Sequence, residues 1–107
     1  MVLKYEDIIP TNPEPGVTRR ILARGGNMMG VEASFVKGAV GSVHQHVHEQ
    51  VSYIVSGSFE YVADGEKYHL KAGDSYYVAP NVAHGATALE DAVILDIFSP
   101  QREDFLK

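Results

Sequence analysis

From Val17 onward, apolar and polar side chains follow one another in short runs rich in Val, Ile, Tyr, Phe and Thr, broken by glycine or Asp-Gly signals. Breaks at intervals of about ten residues belong to all-β domains. The pattern predicts strands near 18–24, 28–37, 42–47, 50–55, 58–63, 66–71, 75–79, 84–89 and 92–98. The clearest hairpin runs from Phe59–Val62 back through Lys67–Leu70, because Asp64-Gly65 supplies the positive-φ positions of a tight two-residue turn. Lys71-Ala72-Gly73-Asp74 makes a second turn and Pro80-Asn81 a third, where Asn tolerates the left-handed conformation. Apolar positions never recur with helical spacing over a long segment, which confines helix to a terminal turn near Arg102–Leu106. Before the strands, residues 5–16 carry Pro10, Pro13, Pro15 and Gly16, the marks of an extended arm. The expected organisation is an N-terminal arm over 1–16 and a single barrel or sandwich over 17–107.

With 107 residues there is room for one core. Hydrophobic residues at 45% and charged ones at 21% are ordinary for a globular domain. A formal charge of −5, relieved only by the short Arg19, Arg20, Arg24 cluster, argues against nucleic acid as a partner. The absence of cysteine excludes disulfides and thiolate metal sites, so any metal is left to nitrogen and oxygen ligands. Lys4, Glu6 and Asp7 interrupt the segment where a secretion signal needs an apolar stretch. No apolar run approaches the roughly 20 residues that span a bilayer. The expectation is a cytoplasmic protein without a membrane partner.

One segment carries most of the candidate chemistry. In His44-Gln45-His46-Val47-His48-Glu49-Gln50 the first two histidines are two apart, and on a strand that spacing sends both imidazoles to one face. Gln50 follows closely, and His84 lies immediately beyond another turn. Three imidazoles and an oxygen suit Mn, Fe, Co, Ni, Cu or Zn. An isolated pair of alternating histidines is more often accidental than a ligand set, so the weight lies in the surrounding pattern. His48 continues the alternation and suits the rim of such a site, while His69 has no partner nearby and is expected at the surface.

Gly38, His44, His46, Gln50 and Gly57 match the spacing of the first motif of the cupin superfamily, with Gln50 where that motif usually has Glu. Gly73 and His84 match the second, in which Ala79, Asn81 and Ala88 stand for its Pro, Gly and Asn. The chain thus resembles a cupin. The resemblance implies an all-β fold, the antiparallel double-stranded β-helix or jelly-roll barrel. It also implies one divalent transition metal per chain, such as Ni, Zn, Mn, Fe or Co, held by His44, His46, Gln50 and His84. A neutral amide in place of a carboxylate leaves the ion's charge uncompensated, which favours Lewis acidity over oxygen chemistry.

Longer phrases, HQHVHEQVSYIVSGSFE, GDSYYVAPNVAHG and ALEDAVILDIFSPQREDF, look like the small cupins called pectin degradation proteins, which linearise unsaturated uronates. That resemblance implies a small anionic sugar-acid substrate and gives Asp96, Phe98 and Arg102 roles upon it. Independently, an Asp inside the apolar run Ile94-Leu95-Asp96-Ile97-Phe98 demands a partner or a purpose. The bland alternatives are an edge-strand Asp96 facing solvent or paired with Arg102, a core Phe98, and a solvated Arg102. Two further functions stay open: a non-catalytic barrel that binds sugar acids, and a metal-dependent dioxygenase. The arm and the strand edges suit a homodimer.

Overall fold

The computed structural model describes all residues, Met1–Lys107. It contains ten strands: β1 (Thr11–Glu14), β2 (Val17–Gly25), β3 (Met28–Phe35), β4 (Val40–His44), β5 (Glu49–Ser56), β6 (Ser58–Ala63), β7 (Glu66–Lys71), β8 (Ser75–Val78), β9 (His84–Ala88) and β10 (Ala92–Ser99). They form a six-stranded sheet in the order β1-β2-β3-β10-β5-β8 and a four-stranded sheet in the order β4-β9-β6-β7. Every pairing is antiparallel. This is the jelly-roll arrangement that the cupin resemblance implies, within the barrel or sandwich expected from the strand rhythm. Helical structure is limited to 3-10 turns at Tyr5–Asp7 and Glu103–Leu106, and no helix is long and apolar enough to cross a membrane.

The turns follow from their residues. Asp64 and Gly65 take φ of 50° and 81°, the left-handed pair that closes the β6–β7 hairpin, and Asn81 takes 63°. Two differences from the sequence pattern have physical reasons. Part of the proline-bearing arm pairs with β2 as an additional strand, β1, because at a sheet edge the missing N–H of Pro13 leaves no ladder bond unmade. The strand expected over 42–47 stops at His44, where the chain bends to leave the four-stranded sheet for β5 of the other. His46 therefore lies in a connecting loop, and strand parity does not account for its direction.

The core lies between the sheets. Phe35, Ile54 and Ile94 of the larger sheet meet Phe59 and Ala88 of the smaller, and the Phe35 and Phe59 rings pack edge to face with centroids 5.1 Å apart. Each of the phenylalanine and isoleucine side chains contributes about 1.5–3 kcal/mol by leaving water. A smaller cluster, Met29, Val31 and Phe98, lies within the six-stranded sheet, with Phe105 packed against it. The functional end is set by the register of β5 and β10, where Ile94 pairs Ile54, Asp96 pairs Ser52 and Phe98 pairs Gln50. Along this inward face an apolar pair gives way to pairs that carry Asp96, Ser52 and Gln50, so the core ends in a chamber with polar groups in its wall.

Candidate metal centre

His44 ends β4 and pairs across the ladder with His84, the first residue of β9, with ring centroids 4.5 Å apart. The connecting loop brings the His46 ring to 5.0 Å from His84 and 5.5 Å from His44. The three residues can each present one ring nitrogen such that all lie within 4.8 Å of one another. His84 is buried and His46 half-buried, whereas His44 is exposed and opens the cluster to solvent.

Backbone carbonyls identify which nitrogen each histidine presents. Nδ1 of His44 lies 2.8 Å from the Ser42 carbonyl, Nδ1 of His46 3.0 Å from that of His48, and Nδ1 of His84 2.9 Å from that of Val82. A carbonyl only accepts, so in the neutral imidazoles each Nδ1 carries the proton and each Nε2 is a lone pair. Gln50 is oriented with equal definition. Its amide nitrogen donates to Ser52 Oγ at 2.8 Å and to Asp96 Oδ1 at 3.2 Å, which turns its oxygen to within 3.0 Å of His46 Nε2. Two acceptors thus face each other with no proton between them, and Nε2 of His84 is buried without any partner. Such a convergence of lone pairs is unfavourable unless a cation joins it, and the residues fit a divalent ion on this ground.

Burial, the largest influence, pushes the His84 pKa down to about 4 and lowers that of His46, so both imidazoles stay neutral at ordinary pH. Asp96 moves the other way. Burial raises its carboxyl to about 6, against the opposing hydrogen bonds from Ser52 Oγ at 2.5 Å and from Gln50. It lies on the central strand β10, neither facing solvent at an edge nor paired with a cation, and it lines the same cavity as His44, Gln50 and His84.

Phe98 stands edge-on to His46 at 5.7 Å and forms one wall of this cavity. Arg102 is 7% exposed, far from the solvated tail residue its sequence position suggests. Its Nε and Nη2 donate to the two carboxylate oxygens of Asp104 at 3.0 and 2.9 Å, while its guanidinium stacks 4.0 Å from the Phe105 ring centre. The structure therefore brings six of the seven candidate site residues to one cavity, and sets the seventh, His46, against His44, Gln50, His84 and Phe98. It also adds two that sequence reasoning missed: Ser52, wholly buried between Gln50 and Asp96, and Tyr76, which lines the cavity from β8 opposite Ser52. Ser52 shares strand parity with Gln50, a signal that could have found it. His48 stays outside the trio, beside His46 and Phe98, and His69 is exposed on β7.

Comparison with known proteins identifies the family and the fold. Residues 31–98 match the model of the cupin domain family. The chain is 45% identical over 93 residues to the pectin degradation protein KdgF of Dickeya dadantii, a match covering 85% of this chain and 84% of the relative. A structure of KdgF from a Halomonas species superposes with a TM-score of 0.92 at 39% identity, covering 98% of this chain and 97% of that one. An RmlC-like cupin from Shewanella frigidimarina also gives 0.92, at 41% identity and with 97% and 94% covered.

Proposed function

The chain belongs to the cupin family, and from that premise we propose that it acts in pectin degradation, opening the ring of 4,5-unsaturated uronates to give linear keto sugar acids. The observation that supports this best is a buried carboxylate, Asp96, hydrogen-bonded to the same amide whose oxygen turns toward the His46 lone pair in a cluster of three histidines. Similarity to proteins named for pectin degradation over most of the chain supplies the substrate class.

His44, His46, Gln50 and His84 would hold one divalent ion, which supplies Lewis acidity toward substrate oxygens. The remaining roles fall to other side chains. Ring opening removes a proton from the hemiacetal hydroxyl as its oxygen becomes a carbonyl, and the bond from that carbon to the ring oxygen breaks. The electron pair moves onto the ring oxygen as an enolate, which becomes a ketone when the alkene carbon takes a proton. One proton leaves and one arrives, so a single carboxylate can accept the first and return it. Asp96, raised toward neutrality, suits that exchange. Arg102 keeps N–H groups beyond those taken by Asp104 with which to hold the substrate carboxylate, and Phe98 keeps water from the wall.

Loss of the enolic absorbance of unsaturated galacturonate tests the proposal. The wild-type protein is expected to abolish that absorbance, and Asp96→Asn to lose most turnover, by roughly 100-fold or more, while retaining its metal and its fold. Undiminished turnover in the variant would remove Asp96 from the mechanism. Binding without any loss of absorbance would mark the chain as a sugar-acid-binding barrel instead.

A further inference from the structure

The chamber contains a second cation for which the scheme above has no use. Arg19, on β2, lines the cavity shared by Asp96 and Arg102, and with Arg102 and His44 it also lines the opening beside it. Its guanidinium carbon lies 3.8 Å from the Phe105 ring centre, and that of Arg102 lies 4.0 Å from the same centre. Both guanidiniums pack against the one ring, so Phe105 holds a pair of like charges close together.

Their hydrogen bonding differs. Asp104 satisfies one edge of Arg102 with two bonds. Arg19 forms no salt bridge, and its Nε is buried without a partner. Its sequence neighbour Arg20, by contrast, lies 3.7 Å from the Glu32 carboxylate. Glu14, at the rim of the opening, directs its oxygens to the Ser42 amide instead. A half-buried guanidinium beside another cation, with no acceptor of its own, carries a desolvation cost that the nearby Asp104 charge offsets only in part. Burial first, and the Arg102 charge second, depress its pKa in keeping with that cost. An arriving anion offsets both.

We propose that Arg19 is a substrate-binding residue that shares with Arg102, beside Phe105, the carboxylate of a sugar acid whose hydroxyl end reaches the histidine cluster. The identity of the sugar acid rests on the uronate reading above; the requirement for a carboxylate rests on the arginine pair. The metal-loaded protein is titrated calorimetrically with galacturonate and with its uncharged counterpart galactose. Arg19→Gln is expected to weaken galacturonate at least about 10-fold and leave galactose unchanged, and to raise KM by a similar factor with kcat nearly constant. Arg19→Lys, which keeps the charge without the fork, is expected to fall between and serves as the decisive variant if the Gln form does not fold. Wild-type affinity in either variant, equal losses for both sugars, or no galacturonate binding by the wild type would overturn the proposal. Arg19-dependent galacturonate binding without turnover of unsaturated uronates would retire the ring-opening reading and keep this one. Turnover with a KM indifferent to Arg19 would do the reverse.

Discussion

Ser52 shows how a short polar side chain can control a longer one. Its hydroxyl accepts from Gln50 and donates to Asp96 with no water in reach, so Ser52→Ala leaves both partners short of a bond. A loss of about 1–3 kcal/mol is expected by chemical denaturation, along with reduced metal content because Gln50 is no longer fixed. His46→Ala is expected to drop bound metal well below one equivalent per chain by elemental analysis. The titrating groups oppose one another in metal-stripped protein. His84 titrates near 4 when folded against an ordinary 6.5, so its contribution to stability is lost as pH falls through that window. Asp96 titrates near 6 when folded against an ordinary 3.8, so its contribution is greatest in acid and is lost as pH rises through 6. Asp96→Asn removes the second effect alone. The stripped variant is therefore expected to lose stability on acidification from pH 6 to 4 more steeply than the stripped wild type, as melting temperatures across that range would show. The convergence of His44, His46, Gln50 and His84 was legible in the sequence because their spacing is distinctive. Arg19 and Tyr76 were not, since only the pairing of distant strands brings them to the chamber.

At the scale of strands, one glycine holds the site's geometry and another a turn remote from it. A Cβ at Gly85, the residue after His84, would lie 2.8 Å from the Gly41 carbonyl oxygen and 3.0 Å from the Val43 backbone. The β4–β9 pairing that sets His44 against His84 therefore requires a bare backbone at that point. Gly85→Ala is expected to spread this ladder and weaken metal binding by about 10-fold or more, measurable by competition with a chelator. Gly57 turns β5 into β6 at a φ of +74°, and a Cβ there would meet the Asp91 carbonyl oxygen and Ala92. Gly57→Ala is expected to cost at least about 1–3 kcal/mol in denaturant midpoints, without touching the site. Most strands were legible from alternation and turn residues, as in the β6–β7 hairpin, whose Asp64-Gly65 fixes both position and type. β1 was hidden by its proline, which excludes a central strand but not an edge one. The early end of β4 was hidden because the reason for it is tertiary: the chain must change sheets between His44 and Glu49.

For the molecule as a whole, the arrangement of the candidate ligands matters more than their identity. His44 and His84 belong to the four-stranded sheet and Gln50 to the six-stranded one, with His46 on the loop that joins them. An ion at a hundred times its dissociation constant adds about 2.7 kcal/mol to the folded state. For a domain of this size that raises the melting temperature by roughly 10 °C or more, an increase that a chelator is expected to reverse. The increment should not be spread evenly. At the opposite end the sheets already grip each other through Phe35 and Phe59 and need no such help. The ion would act as a rivet through one lip of a two-walled cup. Stripping it should let amide protons of β4, β9 and the His44–Glu49 loop exchange with solvent far faster, while those flanking the aromatic clasp keep their pace.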